Sequence, residues 1–172
     1  MAWILAIDPG NEKSALVVYD TQLDKPVWSE IWPNEDVVVD MLPMAGTVER
    51  PLDRLVVEMI ASYGMAVGRE IFETVYWIGR FCQAWPRYKG DRTVSRLFRK
   101  DVKMHLCHSM RATDANIRAA LIDRFGPGKE KAVGTKKAPG PLYGIKKDLW
   151  SALAVAVTYA DTVDLRARCN SG

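Results

Sequence analysis

Long apolar runs are missing from this sequence. No stretch approaches the ~20 residues needed to cross a bilayer, so no membrane-spanning helix is expected. No basic segment followed by an apolar stretch and a small-residue cleavage site opens the chain, and the expected compartment is the cytoplasm. Cysteine is scarce: Cys82, Cys107 and Cys169 are an odd number at unrelated spacings, which argues against a disulfide framework. Both histidines, His105 and His108, flank Cys107, but no partner cluster with zinc spacing exists elsewhere, so a structural role is expected for all three. Internal repeats are absent as well.

What is present fits one soluble-type domain of 172 residues, with 48% hydrophobic and 26% charged side chains. We expect a single domain over residues 1–165 and a flexible tail over 166–172. The net charge of +3 conceals a strong segregation. Residues 1–86 hold 6 Lys/Arg against 13 Asp/Glu, whereas residues 87–147 hold 16 Lys/Arg against 5 Asp/Glu. A basic block of this kind is the electrostatic footprint of a phosphate-backbone binder; a solvated surface with clustered charges is the plainer reading.

The hydrophobic pattern predicts three antiparallel strands over 3–8, 15–20 and 26–32, with a tight Pro9–Ser14 turn between the first two. A helix from Asn34 to about Thr47 follows, weakened near Pro43, and then a strand over 54–58 parallel to the first. A long amphipathic helix spans Val67 to Trp85, and its apolar face is wider than one packing surface needs. A fifth strand (93–98), a short basic helix (99–107) and a helix from Ala115 to Arg124 capped by Thr113-Asp114 come next. Residues 126–147, rich in Gly, Pro and Lys, read as a long flexible basic loop. The last element is an alanine-rich helix, Leu149 to Ala160, preceded by Asp148.

Two apolar segments end in a carboxylate: Ile4-Leu5-Ala6-Ile7-Asp8 and Leu55-Val56-Val57-Glu58. Strand-end acids are held by the sheet yet face a loop-lined cleft, and Asp148 at its helix start can point into the same cleft. Acids this close repel unless a divalent ion neutralises them. Singly, Asp8 reads equally well as a turn residue, and Asp148 as an acid favoured by a helix N-terminus.

Taken together these segments resemble a known family. Ile7-Asp8-Pro9-Gly10, Val56-Val57-Glu58 and Asp148-Leu149-Trp150-Ser151-Ala152-Leu153-Ala154-Val155-Ala156 are similar, in order and spacing, to the motifs of RuvC-type Holliday junction resolvases. The resemblance implies an α/β RNase H-like fold, a five-stranded mixed sheet flanked by helices. It implies magnesium-dependent cleavage of branched DNA; two magnesium ions (or manganese) per site would activate water and stabilise the leaving 3′ oxygen, a homodimer would suit the two-fold symmetry of a Holliday junction, and no small-molecule cofactor or membrane partner is expected. It assigns metal binding to Asp8, Glu58 and Asp148. The position of a further family ligand is Ser151, a neutral and weaker donor. It makes Met59, Ile60 and Tyr63 candidates for a wedge at the junction centre, and Lys103 a basic residue near the scissile phosphate. A second family lysine falls at Asp114-Ala115, which is not basic, so Arg111 or Arg118 is expected to substitute. Arg99 and Lys100, with Lys136, Lys137, Lys146 and Lys147 of the basic loop, complete the candidate DNA contacts.

Other readings remain. A nuclease of the same fold that trims structured RNA would share the acids and the magnesium. A non-catalytic branched-DNA-binding module, for which Ser151 speaks, predicts salt-sensitive binding without cleavage. An actin-like ATPase also starts with an Asp-x-Gly turn, but its two domains need far more than 172 residues.

Overall fold

The computed structural model describes residues 3–45, 52–61, 64, 66–85 and 94–169, with side chains described as far as Thr162. A five-stranded sheet runs in the order β3-β2-β1-β4-β5. Strands β1 (Trp3–Asp8), β2 (Lys13–Asp20) and β3 (Lys25–Pro33) form the expected antiparallel meander. Strand β4 (Arg54–Met59) pairs parallel to β1, and β5 (Val94–Phe98) parallel to β4. This is the mixed sheet of an RNase H-like fold.

Side chains alternate across a strand, so each apolar run feeds two layers. Ile4 and Ala6 join Val56, Ala15, Val17 and Tyr19 on the face covered by α7 (Leu149–Cys169), with α4 (Arg99–Cys107) and α5 (Asp114–Phe125) packed nearby. Leu5, Ile7, Leu16, Val18, Leu55 and Val57 point the other way. They pack under the Val37–Met41 turn that follows α1 (Asn34–Asp36), under α2 (Leu42–Met44) and under α3 (Arg69–Ala84), whose Ile78 and Phe81 close that core. Helix α7 is buried on every side from Ala152 to Val157, which is why alanine and valine fill it: small side chains allow close approach to the sheet.

Three expectations need correction. The 34–47 segment is not one α-helix: a π-helical turn, Val37–Met41, separates α1 from α2 ahead of Pro43. Helix α7 runs to Cys169, beyond Ala160, and of the expected tail only 170–172 fall outside the described residues. The basic 126–147 segment is a packed strap. It contains α6 (Lys129–Ala132) and a tight reversal bridged at Gly134 and Pro139, and Ala132 and Leu142 are fully buried. Its backbone bonds to itself, Gly140 N–H donating to Val133 O at 3.0 Å and Leu142 N–H to Ala132 O at 2.8 Å. Sequence composition marks glycine and lysine but not these main-chain contacts.

Cys107 packs half-buried against the core under α7. His105 Nε2 lies 2.6 Å from Asp161 Oδ2 and ties α4 to α7, while His108 ends α4 in the left-handed region at φ 52°. Among the described residues, no helix is long and apolar enough to cross a membrane.

Candidate active site

The register of β1 and β4 pairs Ile7 with Val57, so Asp8 and Glu58 follow at neighbouring strand ends. Alternation sends both carboxyls to the α7 side of the sheet, the side of Ala6 and Val56. Strand β5 pairs Glu58 with Leu97 and Met59 with Phe98. Its next residue, Arg99, opens α4 beside Glu58. The start of α4 is fixed by Asp101, whose carboxylate accepts from Phe98 N–H at 3.1 Å. Asp8, Pro9, Glu58, Met59, Ile60, Ala61 and Arg99 line one pocket of about 230 Å³.

The turn after Asp8 is braced from below. Asn34, buried at the start of α1, donates from Nδ2 to Gly10 O at 2.9 Å and accepts from Ser14 Oγ at 2.6 Å. Gly10 N–H in turn donates to Ser14 Oγ at 3.3 Å. A side chain on Gly10 would meet Lys13 O at 2.3 Å, so the turn has room only for glycine. Sequence reasoning did not find this brace, since a buried Asn paired with a buried Ser leaves no local pattern.

The electrostatics are those of two acids forced together. Asp8 is pushed up to about 8, first by burial and then by the charge of Glu58; Arg99 pulls it down, Asp148 raises it, and a hydrogen bond with Ser151 lowers it. Glu58 is also raised, chiefly by burial, while Arg99 and a hydrogen bond with Asp8 oppose the rise. Burial and mutual repulsion thus both favour the protonated form of Asp8. Arg99 reaches Glu58 Oε2 from NH1 at 3.5 Å, and its NH2 bonds tightly to Asp114 Oδ1 on α5. Burial disfavours the Arg99 charge, but Glu58, Asp114 and Asp8 outweigh it and its pKa rises.

Asp148 stands outside the pocket, exposed just ahead of α7, where its carbonyl accepts from Ser151 N–H at 3.0 Å and Ala152 N–H at 3.2 Å. Among the described residues no three Asp, Glu, His or Cys side chains form a ready-made metal cage. The donor set still fits a hard divalent cation. It is all oxygen, its two inner carboxyls repel until one is protonated, and Arg99 shows that positive charge is accommodated beside Glu58.

The other sequence-predicted residues fall around this centre. Met59 and Ile60 line the pocket; Tyr63 lies outside the described residues. Lys103 is half-buried one turn along α4 from Arg99 and does not line the pocket. Arg118 is exposed and stacks over the Trp150 ring at 4.8 Å, beside the start of α7. Lys100 lies 5.7 Å from the Phe98 ring centre, and Arg111, Lys136, Lys137, Lys146 and Lys147 are exposed. Asp114 belongs to the site through Arg99, a role that its place in the sequence did not announce.

No family model matches this sequence, and no curated protein does. Solved structures do match. Thermus thermophilus RuvC superposes with a TM-score of 0.65 at 17% identity, covering 95% of this chain and 96% of that one. The chain has the fold of RuvC. T. thermophilus RuvC in complex with Holliday junction substrate matches with a TM-score of 0.61, also at 17% identity, over 96% of each chain.

Proposed function

We propose that this protein is a divalent-metal-dependent endonuclease that hydrolyses branched DNA, with the four-way junction as its preferred substrate. The observation that carries this reading is the half-buried Asp8–Glu58 pair at adjacent parallel strand ends of a RuvC fold. The similarity to RuvC bound to a Holliday junction supports the substrate class.

Asp8, Glu58 and Asp148 would hold the metal, with the Ser151 hydroxyl as a weaker neutral donor. Bound magnesium or manganese supplies a water of lowered pKa and neutralises charge at the phosphodiester. The protein's own part is to place the carboxylates, to exclude bulk water through Met59 and Ile60, and to hold the DNA backbone. The exposed Lys136 and Lys137 at the strap reversal, Lys146 and Lys147 before Asp148, Lys100 and Lys103 on α4, Arg111 in the loop that follows and Arg118 on α5 supply the cations for that grip. The exposed apolar face of α3 supports a homodimer, which suits a two-fold symmetric substrate acting in the cytoplasm.

The test is cleavage of a labelled four-way junction beside linear duplex, a three-way junction and structured RNA, in magnesium and in EDTA. Magnesium-dependent nicks in the junction, lost in Asp8→Asn, are the expected result. Cutting of RNA alone moves the protein to RNA processing. The position of Asp148 outside the pocket favours one other reading, a binding module without catalysis. Tight junction binding with no cleavage under either metal would establish it.

A further inference from the structure

We propose that Arg99 is the side chain that binds the scissile phosphate, and that Asp114 is its positioning residue. The proposal rests on the nuclease reading above and goes beyond it by assigning the phosphate contact within the pocket.

The guanidinium lines the same pocket as Asp8 and Glu58, while the side chain of Lys103 does not. Its two carboxylate contacts are unequal. One guanidinium nitrogen donates to Asp114 Oδ1, whereas the other approaches Glu58 Oε2 at 3.5 Å, the outer limit of a hydrogen bond. Arg99 is thus anchored from α5 and only leans on the site acid. Asp114 holds Arg99 from the surface: its side chain is 83% exposed, while its backbone is set as the first helical residue of α5, which Thr113 caps by accepting from Asn116 N–H at 3.3 Å.

The charge balance argues for an anion at the free edge of the fork. Even with Asp8 held toward its neutral form, the carboxylates of Glu58, Asp148 and Asp114 act on the site or on Arg99, against this one guanidinium. A phosphodiester entering such a centre meets repulsion unless a fixed cation faces it. Arginine offers five N–H donors in a planar fork; two of its nitrogens face Asp114 and Glu58, and the remaining donors suit a non-bridging phosphate oxygen. Its side chain is 26% exposed, enough to be reached and too little to wander.

In the hydrolysis one water is consumed. Its oxygen forms a bond to phosphorus, the bond from phosphorus to the 3′ oxygen breaks, and that oxygen ends protonated as a hydroxyl while the phosphate stays on the 5′ side. Arg99 exchanges no proton; it stabilises the charge gathering on the non-bridging oxygens.

Single-turnover cleavage of a four-way junction in magnesium, with junction affinity measured separately in calcium, tests this on full-length protein. Arg99→Gln is expected to slow cleavage about 10²- to 10³-fold while affinity changes by less than about threefold. Arg99→Lys keeps the charge but not the fork and is expected to recover part of the loss. Asp114→Asn is expected to slow cleavage about tenfold, and to cost nothing further when combined with Arg99→Gln, as coupled residues do. A wild type that cuts beside an Arg99→Gln or Arg99→Lys protein that cuts equally well overturns the Arg99 assignment alone, as does a loss in rate matched by a loss in affinity. Additive losses in the double variant overturn the positioning role of Asp114. A wild type that cuts no junction in magnesium or manganese overturns the nuclease reading and this one with it.

Discussion

Asp8 keeps a proton that an ordinary aspartate gives up, because burial and Glu58 both disfavour a second negative charge in the pocket. Its folded-state pKa of about 8 lies above the ordinary 3.8, so between those values the folded protein holds a proton that the unfolded chain has released. Stability of the metal-free protein therefore falls as pH rises through that window. Thermal melts in chelator from about pH 5 to pH 9 are expected to show this slope in the wild type and to lose most of it in Asp8→Asn. At neutral pH the variant is expected to be more stable by on the order of 1–3 kcal/mol, or roughly 2–10 °C in Tm. Added magnesium should raise Tm in the wild type and not in the variant. A flat pH profile for the wild type would show that the carboxyls do not meet. Asn34 works from the opposite direction, holding the turn after Asp8. Asn34→Ala leaves Ser14 Oγ and Gly10 O short of partners in a buried place and should cost about 1–3 kcal/mol in urea unfolding, with cleavage slowed as well.

At the scale of elements, the strap from 126 to 147 depends on backbone packed against backbone. A Cβ at Gly140 would stand 2.3 Å from Lys131 O and 2.4 Å from Ala132 O, neither of which can swing aside. Gly140→Ala is expected to cost about 1–3 kcal/mol and to weaken junction binding, because the reversal carrying Lys136 and Lys137 loses its base; chemical denaturation and a binding titration read the two effects. The strap also shows where sequence reasoning stops. The strands, the parallel placement of β4, helix α4 and the Asp8–Glu58 meeting were legible, because they follow from periodicity two, turn residues and strand ends. The compactness of the strap was not, since its glycines serve tertiary contacts that composition cannot separate from flexibility. Arg99 was visible as a cation, but its place in the pocket depends on the β4–β5 register. Asp114 was visible as a helix-start acid, while its partner lies on another helix, fifteen residues away.

At the scale of the whole molecule, a four-way junction presents two equivalent strands, so paired cleavage needs two copies of this site. Helix α3 offers the face to join them. Its inner side, Thr74, Ile78 and Phe81, is buried, while Phe72 is 64% and Tyr76 62% exposed, with Val75 beside them. One turn further along the same stripe stands Gly79, where an added Cβ would meet nothing within 4 Å, and Arg80 lies over the Tyr76 ring at 5.9 Å beside it. Phe72→Glu combined with Tyr76→Glu places like charges where the two helices would meet, without touching the core. Sedimentation is expected to give a dimer for the wild type and a monomer for the variant, with Tm unchanged in the variant's own fold. On a junction substrate the variant should give single nicks in place of paired cuts, at a rate per site reduced far less than the yield of paired cuts. A variant that stays dimeric and still cuts in pairs would move the contact away from α3, and a wild type that is monomeric on the junction would leave resolution to two independent events.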